Sequence, residues 1–111
     1  MNPAVIVQYT MCSASWVDAK AEAASSAALA GWSRAAPTAG IYEYFSQGNF
    51  AGMPRLVPEL IGRSVRRMHE LGIRYYQTQA GDEFALNGLN SYTLARLLWN
   101  PQTDVRAIEH D

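Results

Sequence analysis

The stretch "GIYEYFS", Gly40–Ser46, opens on a glycine and continues with an isoleucine, two tyrosines and a phenylalanine. These residue types favour a pleated, half-buried strand. Glu43 stands in the middle of it. Inside a parallel sheet covered on both faces, an unpaired polar side chain costs about 1–3 kcal/mol, so this carboxylate needs a reason to be there.

Two further runs read as strands, "AVIVQYT" (Ala4–Thr10) and "IRYYQTQ" (Ile73–Gln79). Helical patterns fall between them. Asp18 is a plausible N-cap for an alanine-rich helix over 19–36, which Pro37 and Gly40 stop, with Leu29 and Trp32 facing the core. A second helix spans 58–71. Pro58 suits its first turn, Gly72 suits the residue just past its end, and Ile61, Val65 and Met68 make its apolar stripe. On the other side Glu59 and Arg63 are spaced for an i,i+4 pair. A third helix over 91–99 follows Asn90 as N-cap and ends at "NP", Asn100–Pro101, after which Asp104 opens another.

The order is βαβαβα, with strands roughly 35 residues apart, the size of a βα unit. The chain therefore reads as one α/β domain, three consecutive βα units with parallel strands over 1–111. Two architectures fit: the last part of a TIM-type (β/α)8 barrel, or a small flavodoxin-like domain complete as it stands. An opening directly on a strand and a close at "DVRAIEHD" favour the barrel.

Composition narrows the partners. Nine basic residues against ten acidic ones give a net charge of −1, and only Arg63, Arg66 and Arg67 cluster, at helical spacing beside Glu59 and Glu70. That pattern reads as a solvated helix face, not as a nucleic-acid surface. No apolar run reaches the roughly 20 residues needed to cross a bilayer, and the first ten residues lack a signal-peptide pattern. One cysteine (Cys12) and two histidines (His69, His110) give no zinc-like spacing, so no metal is expected. The turn "YTMCSASWVD" lacks a dinucleotide fingerprint and no Walker A pattern occurs, so no cofactor is expected either.

Laid over one another, "VQY", "YEY" and "YQT" put Gln8, Glu43 and Gln77 at one level, toward the C-terminal ends of the strands. Ligands bind at those ends in α/β folds. Two readings stay open: a polar floor facing a ligand, or a buried network in which the three residues satisfy one another. The connection "SQGNFAGMPRLVP" (Ser46–Pro58) is long for a βα loop, as functional loops often are.

The segments "LAGWSRAAPTAGIYEYF" and "LGIRYYQTQAGDEFALNGLNSYTLARLLWNPQTDV" carry a family pattern. In it a tryptophan precedes a strand bearing an acidic residue and a tyrosine. A glycine-led strand ending in glutamine follows, then a helix closing in "LLWNP" with an aspartate three residues on. Trp32, Glu43 with Tyr44, Gly72, Gln79, and Leu97–Pro101 with Asp104 match it. On these residues the last 80 or so positions resemble the C-terminal part of an uncharacterised bacterial glycoside-hydrolase-like barrel domain family, distantly similar to α-glucuronidases and β-hexosaminidases. The chain departs from that family in Glu43, usually aspartate there, and in Thr78, often glutamate.

The resemblance implies a carbohydrate ligand at the C-terminal ends of the strands and, in bacteria, a periplasmic or extracellular setting. Glycosidic hydrolysis uses two carboxyl groups. Glu43 is the candidate acid/base, since burial would raise its pKa, and Glu83 in "AGDEF", with Asp82 beside it, is a weaker second. Trp16, Tyr42 and Tyr44 offer stacking faces, and Gln8 and Gln79 offer amides. The alternative is a carbohydrate-binding or interaction module without catalysis, which Thr78 in place of glutamate favours. Three βα units also leave two open sheet edges, inviting self-association.

Overall fold

The computed structural model describes residues 5–45, 55–79 and 84–110. Strand β1 (Val7–Met11) leads through a 3-10 turn (Ser13–Val17) into helix α1 (Ala19–Ala35). Strand β2 (Ala39–Glu43), helix α2 (Pro58–Glu70), strand β3 (Tyr75–Thr78) and helix α3 (Phe84–Trp99) follow, and a short helix α4 (Val105–His110) closes the described chain. The strands form one parallel sheet in the order β1-β2-β3. The expected α/β class of three successive βα units is what forms.

Every described helix packs on the same side of that sheet. Strand alternation turns Met11, Ile41 and Tyr76 toward it. Met11 and Ile41 join Leu29 of α1 and Leu60 and Met68 of α2 in one apolar cluster, with Trp16 and Ile73 completing it. A second cluster lies farther out, where Ile61 and Val65 of α2 meet Leu94 and Leu97 of α3, Val105 and Ile108 of α4, and Phe45 just beyond β2. Because α2 contributes to both, its apolar stripe is the seam between sheet and outer helices. Gly72 ends the α2 turn at φ +76°, a left-handed conformation that costs glycine little, and so redirects the chain into β3.

Two caps form as expected. Asp18 accepts from the Lys20 amide at 2.9 Å, and Asp104 from the Arg106 amide at 3.0 Å. Asn100 closes α3 by accepting from the Gln102 amide at 3.0 Å, so "LLWNP" acts as a helix stop.

Other expectations are overturned. Trp32 does not face the core but is 42% exposed. Arg63 pairs with Glu22 of α1 at 3.0 Å instead of Glu59, and donates to the Trp16 carbonyl. Arg66 reaches the Pro101 and Thr103 carbonyls, and Arg67 the Ser26 hydroxyl. The arginine face of α2 is thus a set of clamps onto its neighbours, with charge-assisted bonds made locally, and only partly a solvated surface.

The largest difference concerns Asn90. It lies inside α3, which starts at Phe84, and is only 2% exposed. Its side chain accepts from the Val57 amide at 2.9 Å and donates to the Arg55 carbonyl at 2.7 Å. Asparagine does here what a strand neighbour would do, satisfying two backbone groups of the segment entering α2. A cap would tolerate Asn90→Asp, since aspartate caps as well as asparagine. In this setting aspartate keeps an acceptor but cannot donate to Arg55. Asn90→Asp is therefore expected to cost about 1–3 kcal/mol in urea unfolding, and unchanged stability would return Asn90 to a capping role.

Candidate functional site

The C-terminal end of β2 carries two unlike surfaces, one on each face of the sheet. On the helix-covered face is Glu43, fully buried. It pairs in register with Met11 on β1 and Thr78 on β3. One oxygen, Oε1, accepts from the Ser13 amide at 2.8 Å and from the Tyr44 amide at 2.9 Å. The Thr78 hydroxyl donates to the Glu43 carbonyl at 2.9 Å. The 3-10 turn after β1 has no side-chain cap from its own Cys12, and Glu43 supplies one from the adjacent strand. This answers why a carboxylate sits in the strand: it ties the β1–α1 turn to β2.

The other oxygen, Oε2, is buried with no hydrogen-bond partner among the described residues, as are the hydroxyls of Ser13 and Tyr76. Burial accordingly pushes the Glu43 pKa from 4.5 up to about 7, while the bonds from Ser13 and Tyr44 pull the other way. Tyr76 is raised as well, by burial first and by the Glu43 charge second.

The opposite face is bare. Alternation places Gln8 and Thr10 of β1, Tyr42 of β2, and Tyr75 and Gln77 of β3 on it, with Tyr44 and Gln79 just beyond their strands. The Gln8 amide donates to Gln77 Oε1 at 3.3 Å, spanning β2 above Gly40. Gln79 Nε2 donates to the Tyr42 hydroxyl at 2.9 Å. The Tyr42 and Tyr44 rings meet edge to face, with centroids 4.7 Å apart. The neighbouring Tyr42 phenol raises the pKa of Tyr44.

The register corrects the alignment of Gln8, Glu43 and Gln77. Gln8 pairs with Gly40 and Gln77 with Tyr42, so the three are not at one level. Both offsets are odd, by three residues on β1 and by one on β3, and each odd slip exchanges the faces. Gln8 and Gln77 consequently share the bare face while Glu43 faces the helices.

Of the other residues singled out, Tyr42, Tyr44 and Gln79 come together. Trp16 does not join them: it is 2% exposed, inside the apolar cluster on the helix side. Glu83 and Asp82 lie outside the described residues. Thr10 and Tyr75 were not singled out, although the period-two pattern from Gln8 to Thr10 and from Tyr75 to Gln79 marks them once a face is chosen.

The fold and site together define a small α/β unit with a one-sided parallel sheet and a polar-aromatic bare face. The family described as Domain of unknown function (DUF4838) matches residues 1–111, and the chain belongs to it. The match runs over the whole chain, including the first strand, which lies outside the last 80 or so positions that carry the sequence pattern. Comparison with curated proteins and with solved structures gave no match.

Glu43 gives the protein a distinctive pH dependence. With a pKa raised from 4.5 to about 7, the folded state holds this proton more tightly than the unfolded chain. The stability it contributes is complete below the unfolded value of 4.5 and is lost as pH rises through about 7. The loss is of the order of 3 kcal/mol. Glu43→Gln keeps an acceptor for both amides and has no charge to bury. Relative to this variant, the wild type is expected to weaken between about pH 4.5 and pH 8 in urea titrations. Parallel profiles would mean that Glu43 titrates as an ordinary carboxylate.

Proposed function

We propose that this chain forms consecutive units of a glycoside-hydrolase-like (β/α)8 barrel and that its bare sheet face is a wall of the carbohydrate site. The observation that carries the proposal is the one-sided sheet. Three parallel strands stand in unbroken order, with every described helix on one face and amides and phenols on the other. A doubly wound flavodoxin-like sheet covers both faces, whereas a barrel turns one face inward and lines it with ligand-binding groups near the strand ends. In this reading the two sheet edges, β1 and β3, join further βα units or a second copy of the chain.

The same geometry favours binding over catalysis for the described residues. Tyr42 and Tyr44 offer apolar ring faces with polar tips, Gln77 and Gln79 offer amides toward the same strand ends, and Gln8 lies lower on the face, level with Gly40. Glu43 faces away from them, with Oε1 committed to the Ser13 and Tyr44 amides. Its role is to position Tyr44 and the turn after β1. A carboxyl that donates a proton to a glycosidic oxygen has to reach the sugar. Glu43 does not share the sugar's side of the sheet.

Saturation-transfer NMR against a panel of mono- and oligosaccharides tests the proposal. At least one saccharide is expected to bind, with Tyr42→Ala and Gln79→Ala each lowering its affinity about tenfold or more. Both variants should keep the wild-type circular dichroism, because both side chains lie on the bare face. Binding that survives both substitutions, or no saccharide binding, would refute the carbohydrate wall.

A further inference from the structure

We infer that the bare sheet face recognises the uncharged part of a glycan, its hydroxyl and acetamido groups, and discriminates against uronate and sulfate. The inference rests on the carbohydrate reading above and names the substrate class for that same surface.

The polar side chains that the register gathers on this face are all uncharged: Gln8, Thr10, Tyr42, Tyr44, Gln77 and Gln79. Each is an amide or a hydroxyl. A carboxamide presents a donor and an acceptor together, which is what a sugar hydroxyl or an acetamido group pairs with on both counts. A carboxylate or sulfate accepts only, and its strong partners are guanidinium and ammonium groups. The amide N–H and phenol O–H groups of this face can donate to such an anion, but among the described residues no formal charge on it would offset the lost hydration.

The arginine beside β3 and those of α2 are turned elsewhere. Arg74 lies on the other side of β3 and donates to the His69 and Ile73 carbonyls. Arg63, Arg66 and Arg67 belong to the clamps of α2 on the helix side. These four cations therefore lie away from the bare face, and Arg55 donates to the Ala14 carbonyl in the turn after β1.

The amides of this surface keep groups that a ligand can use. The Gln8–Gln77 bond is long at 3.3 Å and uses one donor and one acceptor of the pair. The Gln8 carbonyl oxygen and a Gln77 amide proton are left to turn toward a ligand. Beneath that bond is Gly40, where a Cβ would come within 3.1 Å of Tyr75 Cβ and 3.4 Å of Ile6 Cγ2. Gly40 is buried, so these neighbours close over β2 and no side chain stands between the outer strands at this level.

The test compares affinities of the protein for neutral and anionic forms of one sugar. N-acetylglucosamine and glucose serve as neutral probes, with glucuronate and glucose 6-sulfate as anionic ones, each titrated by NMR at low and high salt. The neutral probes are expected to bind at least about tenfold more tightly, with affinity unchanged by salt. Gln77→Lys is expected to reverse the preference toward glucuronate and to make that binding salt-sensitive. Glucuronate or glucose 6-sulfate bound by the wild type as tightly as the neutral probes would overturn the inference and leave the carbohydrate reading standing. A neutral-to-anionic ratio unmoved by Gln77→Lys would also overturn it, since the contact would then lie elsewhere. If neither these probes nor any saccharide of the wider panel binds, the carbohydrate reading fails and takes the inference with it.

Discussion

Parallel strands that follow one another in unbroken order carry their helical crossovers to a single side of the sheet, because each crossover has the same hand. In this protein that constraint sorts the side chains of every strand into two populations. Met11, Ile41 and Tyr76 meet α1 and α2 and build the core, whereas Gln8, Tyr42 and Gln77 meet none of the described helices. Helix α2 then carries the packing outward, since its second apolar row receives α3 and α4. A polar bare face on an otherwise well-packed parallel sheet is the consequence, and it is the feature on which the functional reading depends.

Glu43 belongs to the covered population and shows what that costs. Removing its carboxylate from water raises its pKa, and two amide bonds to one oxygen offset only part of the penalty. What the fold gains is a joint between successive units: the turn after β1 is fixed by a side chain of β2, and the same oxygen holds the Tyr44 amide. Tyr44 in turn packs on Tyr42 at the rim of the bare face. Through this chain of contacts a buried acid supports a half-buried aromatic pair without touching what the pair would bind.

Much of this was readable in advance, for local reasons. Asp18 and Asp104 cap helices, Asn100 stops one, and Gly72 turns the chain, because each acts within two or three residues of itself. Trp32 and Asn90 were misread because hydrophobicity and capping preference are local averages. Asn90 is an equally good partner for backbone from another segment, and the residues around 55–57 took it. Arg63 chose Glu22, 41 positions away in sequence, over the nearby Glu59 for the same reason: packed helices bring distant partners closer than the local ones.

The sequence by itself determined the alternation of strands and helices, their parallel sense and the residues that punctuate them, since propensity, capping and turn chemistry depend on near neighbours. It also placed Tyr42, Tyr44 and Gln79 among the residues worth watching. The tertiary structure decided the register and with it the faces. A strand has a period of two, so a shift by one or three residues leaves its pattern intact while moving every side chain to the other side of the sheet. Only the packing of α1 and α2 against Met11, Ile41 and their neighbours fixes that choice. That packing set Glu43 among the helices and the glutamines in the open.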